Sequence, residues 1–237
     1  EATAEELRAK VDAALGGLQA AVSASPEPLA GVAVDSWAVD YGLLREGRLL
    51  GQPFHYRDEG RAVGVETVHA VRSHEALYAR NGLQFLPFNT LYQLAAEDRD
   101  LLDLADHALL IPDLIGFWLT GQARTERTNA STTGLLRADT GEWDADLIAA
   151  LGLSPSLLAP LVSPGETIGE LSAHVAATLD TQASVTAVGS HDTASAVVAV
   201  PMSSGDAAYI SCGTWGLVGV EAPRPVLTDA AREAKFT

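Results

Sequence analysis

The sequence predicts an α/β fold, and three features carry that prediction. Short β-branched runs, GVAVDS at 31–36 and VTAVGSHD at 185–192, alternate with longer segments whose apolar residues recur at helical spacing. Both runs end in polar residues, as strands do when they deliver side chains to a ligand site. A hydrophobic fraction of 47% against 19% charged residues lets 237 residues bury a sizeable core, as one large domain or two small ones.

The first element is a helix. Leu7, Val11, Leu15, Leu18 and Val22 share one face, Thr3 and Glu6 form a capping box, and Pro26 marks the stop. GVAVDS follows as a short buried strand with Asp35, Ser36, Trp37 and Asp40 at its carboxyl end. Leu43-Leu44 and Leu49-Leu50 flank a Glu46-Gly47 turn and predict a hairpin. Residues 62–160 read as mainly helical, with stops at Asn81-Gly82 and Thr120-Gly121 and a turn at Asp139-Thr140-Gly141. A helix begins near Trp143, and Pro155 after Ser154 opens another. VTAVGSHD is a strand entering a loop, TASAVVAV is a helix, and residues 207–222 are two strands joined by a Gly-Thr turn. The opening helix lacks a preceding strand to pack on and AAREAKFT closes no unit, so the domain is expected to be incomplete at both ends.

Composition narrows the partners. Asp and Glu outnumber Lys and Arg 31 to 15, and a net charge of −16 argues against nucleic acid. An anionic ligand then requires local backbone N–H groups, an arginine or a metal ion. The same acidity also serves plain solubility. A single cysteine, Cys212, excludes an internal disulfide and reads as a small core residue. The start has no signal-peptide pattern and no apolar run is long enough to span a bilayer, so a soluble cytoplasmic protein without membrane contact is expected.

Three places can carry chemistry. Asp192 leaves a strand at the start of a helix, where a carboxylate can take a proton from an attacking hydroxyl, and where it can equally serve as a helix N-cap. Ser211-Cys212-Gly213-Thr214 offers a close backbone approach and a hydroxyl to a phosphate, or is a plain hairpin turn. In Trp37-Ala38-Val39-Asp40 an indole beside a carboxylate suits a sugar, and a core tryptophan beside a turn aspartate reads the same way. No P-loop, no GxGxxG motif and no helical histidine pair with a partner acid is present.

Seven segments in order, GVAVDSWAVDYGLL, PFHYRDE, GLQFLPFNTLYQL, ALLIPDLIGFWLTG, TNASTTGLL with GEWD, GSHDTASAV and AAYISCGTWGLVG, resemble the FGGY carbohydrate kinases, in particular the branch acting on L-rhamnulose. The resemblance implies an actin-like (ribonuclease H-like) fold. It also implies transfer of the γ-phosphate of ATP, with Mg²⁺, to the 1-hydroxyl of L-rhamnulose. Asp192 then matches the catalytic base, and His191 and Thr193 match sugar-binding positions. Thr214 matches an ATP contact, and Ala38 stands where the family has a sugar-side glycine. Residues 1–203 would form most of the sugar-binding domain without its first strands, and 204–237 the beginning of the ATPase domain. The chain alone is then expected to be inactive, and the enzyme a monomer or homodimer. Other FGGY kinases of a ketose or polyol, and a non-catalytic sugar-binding protein on the same fold, are the alternatives. Arg127 occupies a place where related kinases often carry tyrosine.

Overall fold

The computed structural model describes residues 4–58, 63–202, 204, 207–213 and 216–237. Helix α1 (Ala4–Ala24) stops two residues before Pro26, which disfavours helical backbone ahead of it. Leu15 and Leu18 pack as the spacing predicts, whereas Thr3 and the side chains of Glu6, Leu7 and Val11 lie outside the described residues.

Strand β1 (Gly31–Val32) departs from expectation. Residues 31–36 alternate exposed and half-buried positions instead of being buried throughout. Among the described strands β1 is at the edge of its sheet, and only its Val32–Val34 side meets the core. Strands β2 (Tyr41–Arg45) and β3 (Arg48–Leu49) form the predicted hairpin. Its turn has φ of 49° at Glu46 and 75° at Gly47, two consecutive left-handed residues that match the twist of the flanking strands.

Helices α2 (Val63–Val71) and α3 (His74–Asn81) come next, the latter ending at the left-handed Gly82. They are followed by α4 (Thr90–Ala95) and α5 (Arg99–Leu104). The region is mainly helical as expected, but it also holds a strand that the sequence reading did not place. His107–Leu110 is strand β4, antiparallel to β2 with Leu43 opposite Ala108. A short apolar run does not by itself distinguish strand from helix, and here pairing with a distant strand decides. Helix α6 (Ile111–Thr120) starts with Pro112 in its first turn and ends at left-handed Gly121.

Strand β5 (Thr125–Glu126) and the one-turn α7 (Arg127–Ala130) lead to α8 (Ala145–Ala150), capped by Asp144. Pro155 opens only a single 3₁₀ turn, Pro155–Leu157. Strand β6 (Leu161–Val162) lies parallel to β5. Strand β7 (Thr167–Glu170), helix α9 (Ala173–Leu179) and strand β8 (Ser184–Thr186) complete the sheet containing β1. In that sheet β8 is central, parallel to β1 and antiparallel to β7. Helix α10 (Asp192–Val198), the β9 (Ala208–Cys212) and β10 (Gly216–Val220) hairpin, and α11 (Asp229–Glu233) end the chain.

Two cores set the site. The larger gathers α2, α3, α4, α5, α8 and the β2–β4 sheet around Leu77, Leu91, Leu94 and Leu135. The second joins α1, α6 and α9 to β8 through Leu18, Leu119, Leu179 and Val185. The opening helix packs on α9 and on the cluster that contains Val185 of β8.

Candidate active site

Strands β1 and β8 run parallel, and their continuations stay together past the paired residues. Ser36 N–H donates to Ser190 O at 2.9 Å, and Asp192 N–H donates to Ser36 O at 2.8 Å. The two polar segments predicted separately thus emerge side by side from the carboxyl ends of adjacent parallel strands, where open α/β sheets place ligands. One wall is 36–40 and the other is 189–193.

On the second wall Asp192 is the first residue of α10, and the N-cap is His191, which makes no side-chain cap bond. The N-cap reading of Asp192 is therefore corrected: the residue sits one position too far into the helix. Its Oδ1 accepts from Thr193 N–H at 2.6 Å and Thr193 Oγ1 at 3.2 Å, and its side chain is 61% exposed. His191 Nε2 lies 3.8 Å from Asp192 Oδ1. Burial pushes the His191 imidazole below its ordinary value, and the nearby Asp192 and Glu126 charges pull the other way. A neutral imidazole beside Asp192 can bond a hydroxyl without repelling a cation. Thr193 is half-buried at the same rim.

The first wall is more tightly held. Trp37 Nε1 donates to Asp40 Oδ2 at 2.8 Å, with the indole 37% exposed, so it is not a core tryptophan. Asp40 is 1% exposed. Burial raises its carboxyl above the usual range, opposed by bonds from Trp37, the Tyr56 backbone and Gln93 and by the His55 charge. Ala38 and Val39 are buried. Val39 has φ +67°, and Asp40 N–H donates to Ala38 O at 2.9 Å, a γ-turn of the rare positive-φ form. A β-branched residue there costs about 1–3 kcal/mol. Thr90 Oγ1 at 2.8 Å and Gln93 Nε2 at 3.2 Å both donate to Val39 O and hold the turn closed.

Sequence reasoning missed the acid beneath these walls. Glu126, 1% exposed at the end of β5, accepts from Ser190 N–H at 3.0 Å and Ser190 Oγ at 3.2 Å. It also accepts from Thr128 N–H and Thr128 Oγ1, each at 2.6 Å, and from Asn129 N–H at 3.0 Å. The signal available was an acid followed two and three residues later by Thr and Asn, a helix-cap pattern. Its own N–H donates to Asp113 Oδ1 at 3.0 Å. Burial pushes the Asp113 carboxyl well above the ordinary value, and the Glu126 charge adds to the effect. Asp113, Glu126, Val185 and Ser190 border a void of about 10 Å³, at the lower limit for one water and far too small for a sugar.

Thr214 lies outside the described residues. Cys212 is exposed and not a core residue, because the β9–β10 hairpin leaves its faces open, with Ile210 70% and Val218 72% exposed. Arg127 turns to the 141–142 turn, donating to Gly141 O and, at 3.1 Å, to Glu142 Oε1. Among the described residues no group of three or more His, Cys, Asp and Glu is placed to hold a metal ion, and no helix is long and apolar enough to cross a membrane.

Residues 2–199 match the family model for the N-terminal domain of the FGGY carbohydrate kinases. The rhamnulokinase of Bacillus subtilis (strain 168) is 45% identical over 208 residues, 87% of this chain and 43% of that protein. The rhamnulokinase of Pectobacterium carotovorum is 45% identical over 210 residues, 87% of this chain and 42% of that one. The chain thus spans less than half the length of these curated relatives. Among solved structures, ligand-bound xylulose kinase from Lactobacillus acidophilus superposes with a TM-score of 0.83 over 93% of this chain and 46% of that one, at 20% identity. The xylulose kinase of Rhodospirillum rubrum gives 0.75 over 88% and 45%, at 22% identity. These two likenesses show the fold, and with the family match and the near relatives the conclusion is plain: this chain belongs to the FGGY family of carbohydrate kinases.

Proposed function

We propose that the chain forms the sugar-binding part of an ATP-dependent rhamnulokinase, which phosphorylates the 1-hydroxyl of L-rhamnulose in the cytoplasm. The observation that carries this reading is the convergence of Trp37, Ala38, His191 and Asp192 at two adjacent strand ends, in a chain 45% identical to proteins named rhamnulokinase. On this reading 1–203 is the sugar-binding part and 204–237 begins the ATPase part, with Thr214 as an ATP contact.

Asp192, exposed at the head of α10, would accept the proton of the 1-hydroxyl as its oxygen bonds the γ-phosphorus and the bond to ADP breaks. The products are L-rhamnulose 1-phosphate, ADP and a proton, held first on Asp192. Trp37 offers an apolar face to the sugar ring. His191 and Thr193 bond its hydroxyls, and the Ala38 methyl narrows the wall. The described acids form no all-protein metal cage, so Mg²⁺ would enter with the nucleotide phosphates and neutralise charge there.

The test is Asp192→Asn in the full-length protein carrying this chain. Turnover with L-rhamnulose and ATP is expected to fall about 10³-fold, while sugar affinity by calorimetry stays within about two-fold, since Asn keeps the shape. A variant that retains most of its turnover removes Asp192 from the role of base. A panel of ketoses and glycerol, in which L-rhamnulose is not preferred, would overturn the substrate.

A further inference from the structure

We propose that Glu126 is the positioning residue that aims the Asp192 carboxylate, which rests on Asp192 being the base of the phosphoryl transfer proposed above. The loop Gly189–Asp192 has few anchors of its own. No residue of α10 is buried, and the Asp192 carboxylate meets its chain neighbours Thr193 and His191. The direction of its carboxylate therefore depends on the backbone just before it.

That backbone is fixed at four atoms, one of them Gly189 O, which accepts from Ser195 Oγ of α10 itself. Ser190 N–H is held by Glu126 Oε2, Ser190 O by Ser36 N–H, and Asp192 N–H by Ser36 O. Two of these bonds tie the loop to the neighbouring wall, and only the Glu126 bond ties it to the interior. The carboxylate is itself rigid: its residue is 1% exposed, and its backbone is anchored through Asp113 on α6. Every bond described to Glu126 Oε1 and Oε2 comes from an N–H or O–H, the pattern an ionised carboxylate requires. Capping α7 accounts for the bonds from Thr128 N–H and Asn129 N–H. It does not account for the two bonds to Ser190, which lies 64 residues further along the chain.

The two substituents of this carboxylate make a discriminating pair. Glu126→Asp shortens the side chain by one methylene, so it cannot cap α7 and reach Ser190 at once. Glu126→Gln can set its carbonyl at the Oε2 site, which serves Ser190, while its NH2 at the Oε1 site faces Thr128 N–H, donor against donor, a cost that falls on the α7 cap. In the full-length protein, E126D is expected to lower kcat about 100-fold, the cost of misplacing a reacting group by a fraction of an ångström to one ångström. The dissociation constant for L-rhamnulose should rise no more than about ten-fold, because the 36–40 wall is untouched while the bonds from His191 and Thr193 weaken with the loop. E126Q is expected to recover most of that loss. A role confined to capping would lower the melting temperature and leave kcat at 25 °C unchanged.

Ser190→Ala keeps the N–H bond, removes the Oγ bond and supplies the test if E126D does not fold. Its expected loss is about three- to ten-fold in kcat, one hydrogen bond to a carboxylate. Wild-type kcat in both folded E126D and S190A, with Asp192→Asn inactive, overturns the positioning role alone. Turnover retained by Asp192→Asn instead overturns the base reading, so the two failures are separable.

Discussion

The two walls of the site are built on opposite terms. The 36–40 wall is buried: Ala38, Val39 and Asp40 are all under 9% exposed, and a strained Val39 is clamped by two side chains of α4. The 189–193 wall is open. Asp192 stands 61% exposed on a helix with no buried residue, and Val198 at its far end is 86% exposed. A wall that shapes a ligand gains from rigidity, since each degree of freedom removed beforehand need not be lost on binding. On the proposed reading, a wall that carries the proton acceptor has to remain accessible to the reacting hydroxyl, and its order would come from below, through Glu126. Substitutions behind the first wall should therefore act on stability and on sugar affinity together. Those on the second should leave stability nearly unchanged.

The sharpest break of this contrast is expected at Gly64. A Cβ there would overlap the Tyr92 carbonyl oxygen on α4, and backbone cannot yield as a side chain can. Gly64→Ala should push α2 off the helix that carries Thr90 and Gln93, and cost about 3 kcal/mol in denaturant unfolding. Gln93→Leu follows at about 2 kcal/mol, because it strips a donor from Val39 O, Phe88 O and Asp40 together in a buried setting. If Gln93→Leu left both stability and sugar affinity unchanged, the clamp on Val39 would be dispensable and the contrast lost.

Beneath the second wall, Asp113 tests the same contrast through pH. An unfolded aspartate loses its proton near pH 3.9, whereas burial holds the folded carboxyl protonated to higher pH. The contribution of that group is thus complete below about pH 4 and is lost as pH rises through the folded value. Asp113→Asn keeps an oxygen for Glu126 N–H and removes the ionisation. Its stability relative to wild type should improve on going from pH 4 to pH 8, as the wild-type carboxyl is forced to ionise in a buried site. A pH-independent difference between the two would mean that Asp113 titrates as it does in the unfolded chain.

Much of the frame was legible because it is local. Gly82 and Gly121 end α3 and α6 in the left-handed conformation that glycine permits, and Glu46-Gly47 turns the hairpin between Leu44 and Leu49. The placement of Asp192, His191 and Trp37 at strand ends was legible from the polar residues that close two β-branched runs. Strand β4 was not, because Ala108-Leu109-Leu110 is apolar in either conformation and its pairing to β2 lies across more than sixty residues of chain. Glu126 was hidden for the same reason, since its partner Ser190 is non-local. The positive φ of Val39 runs against the preference of its side chain, so no local rule points to it. Cys212 misled because small apolar residues in strands are usually covered, and this hairpin is not.

The smallest effect is expected at Val198 on α10, and it tests the open wall directly. The side chain is 86% exposed, so truncation removes almost no buried surface. Alanine also has the higher helix propensity, because valine loses side-chain freedom against the preceding turn. Val198→Ala should therefore change stability by no more than about 0.5 kcal/mol, in the stabilising direction. In the full-length protein kcat should be unaffected, since Val198 lies at the far end of the helix from Asp192. A loss above about 1 kcal/mol would mean that this valine is covered in solution, because an exposed valine has no such energy to lose. The second wall would then be held from above as well as from Glu126, and the two walls would differ in degree and not in kind.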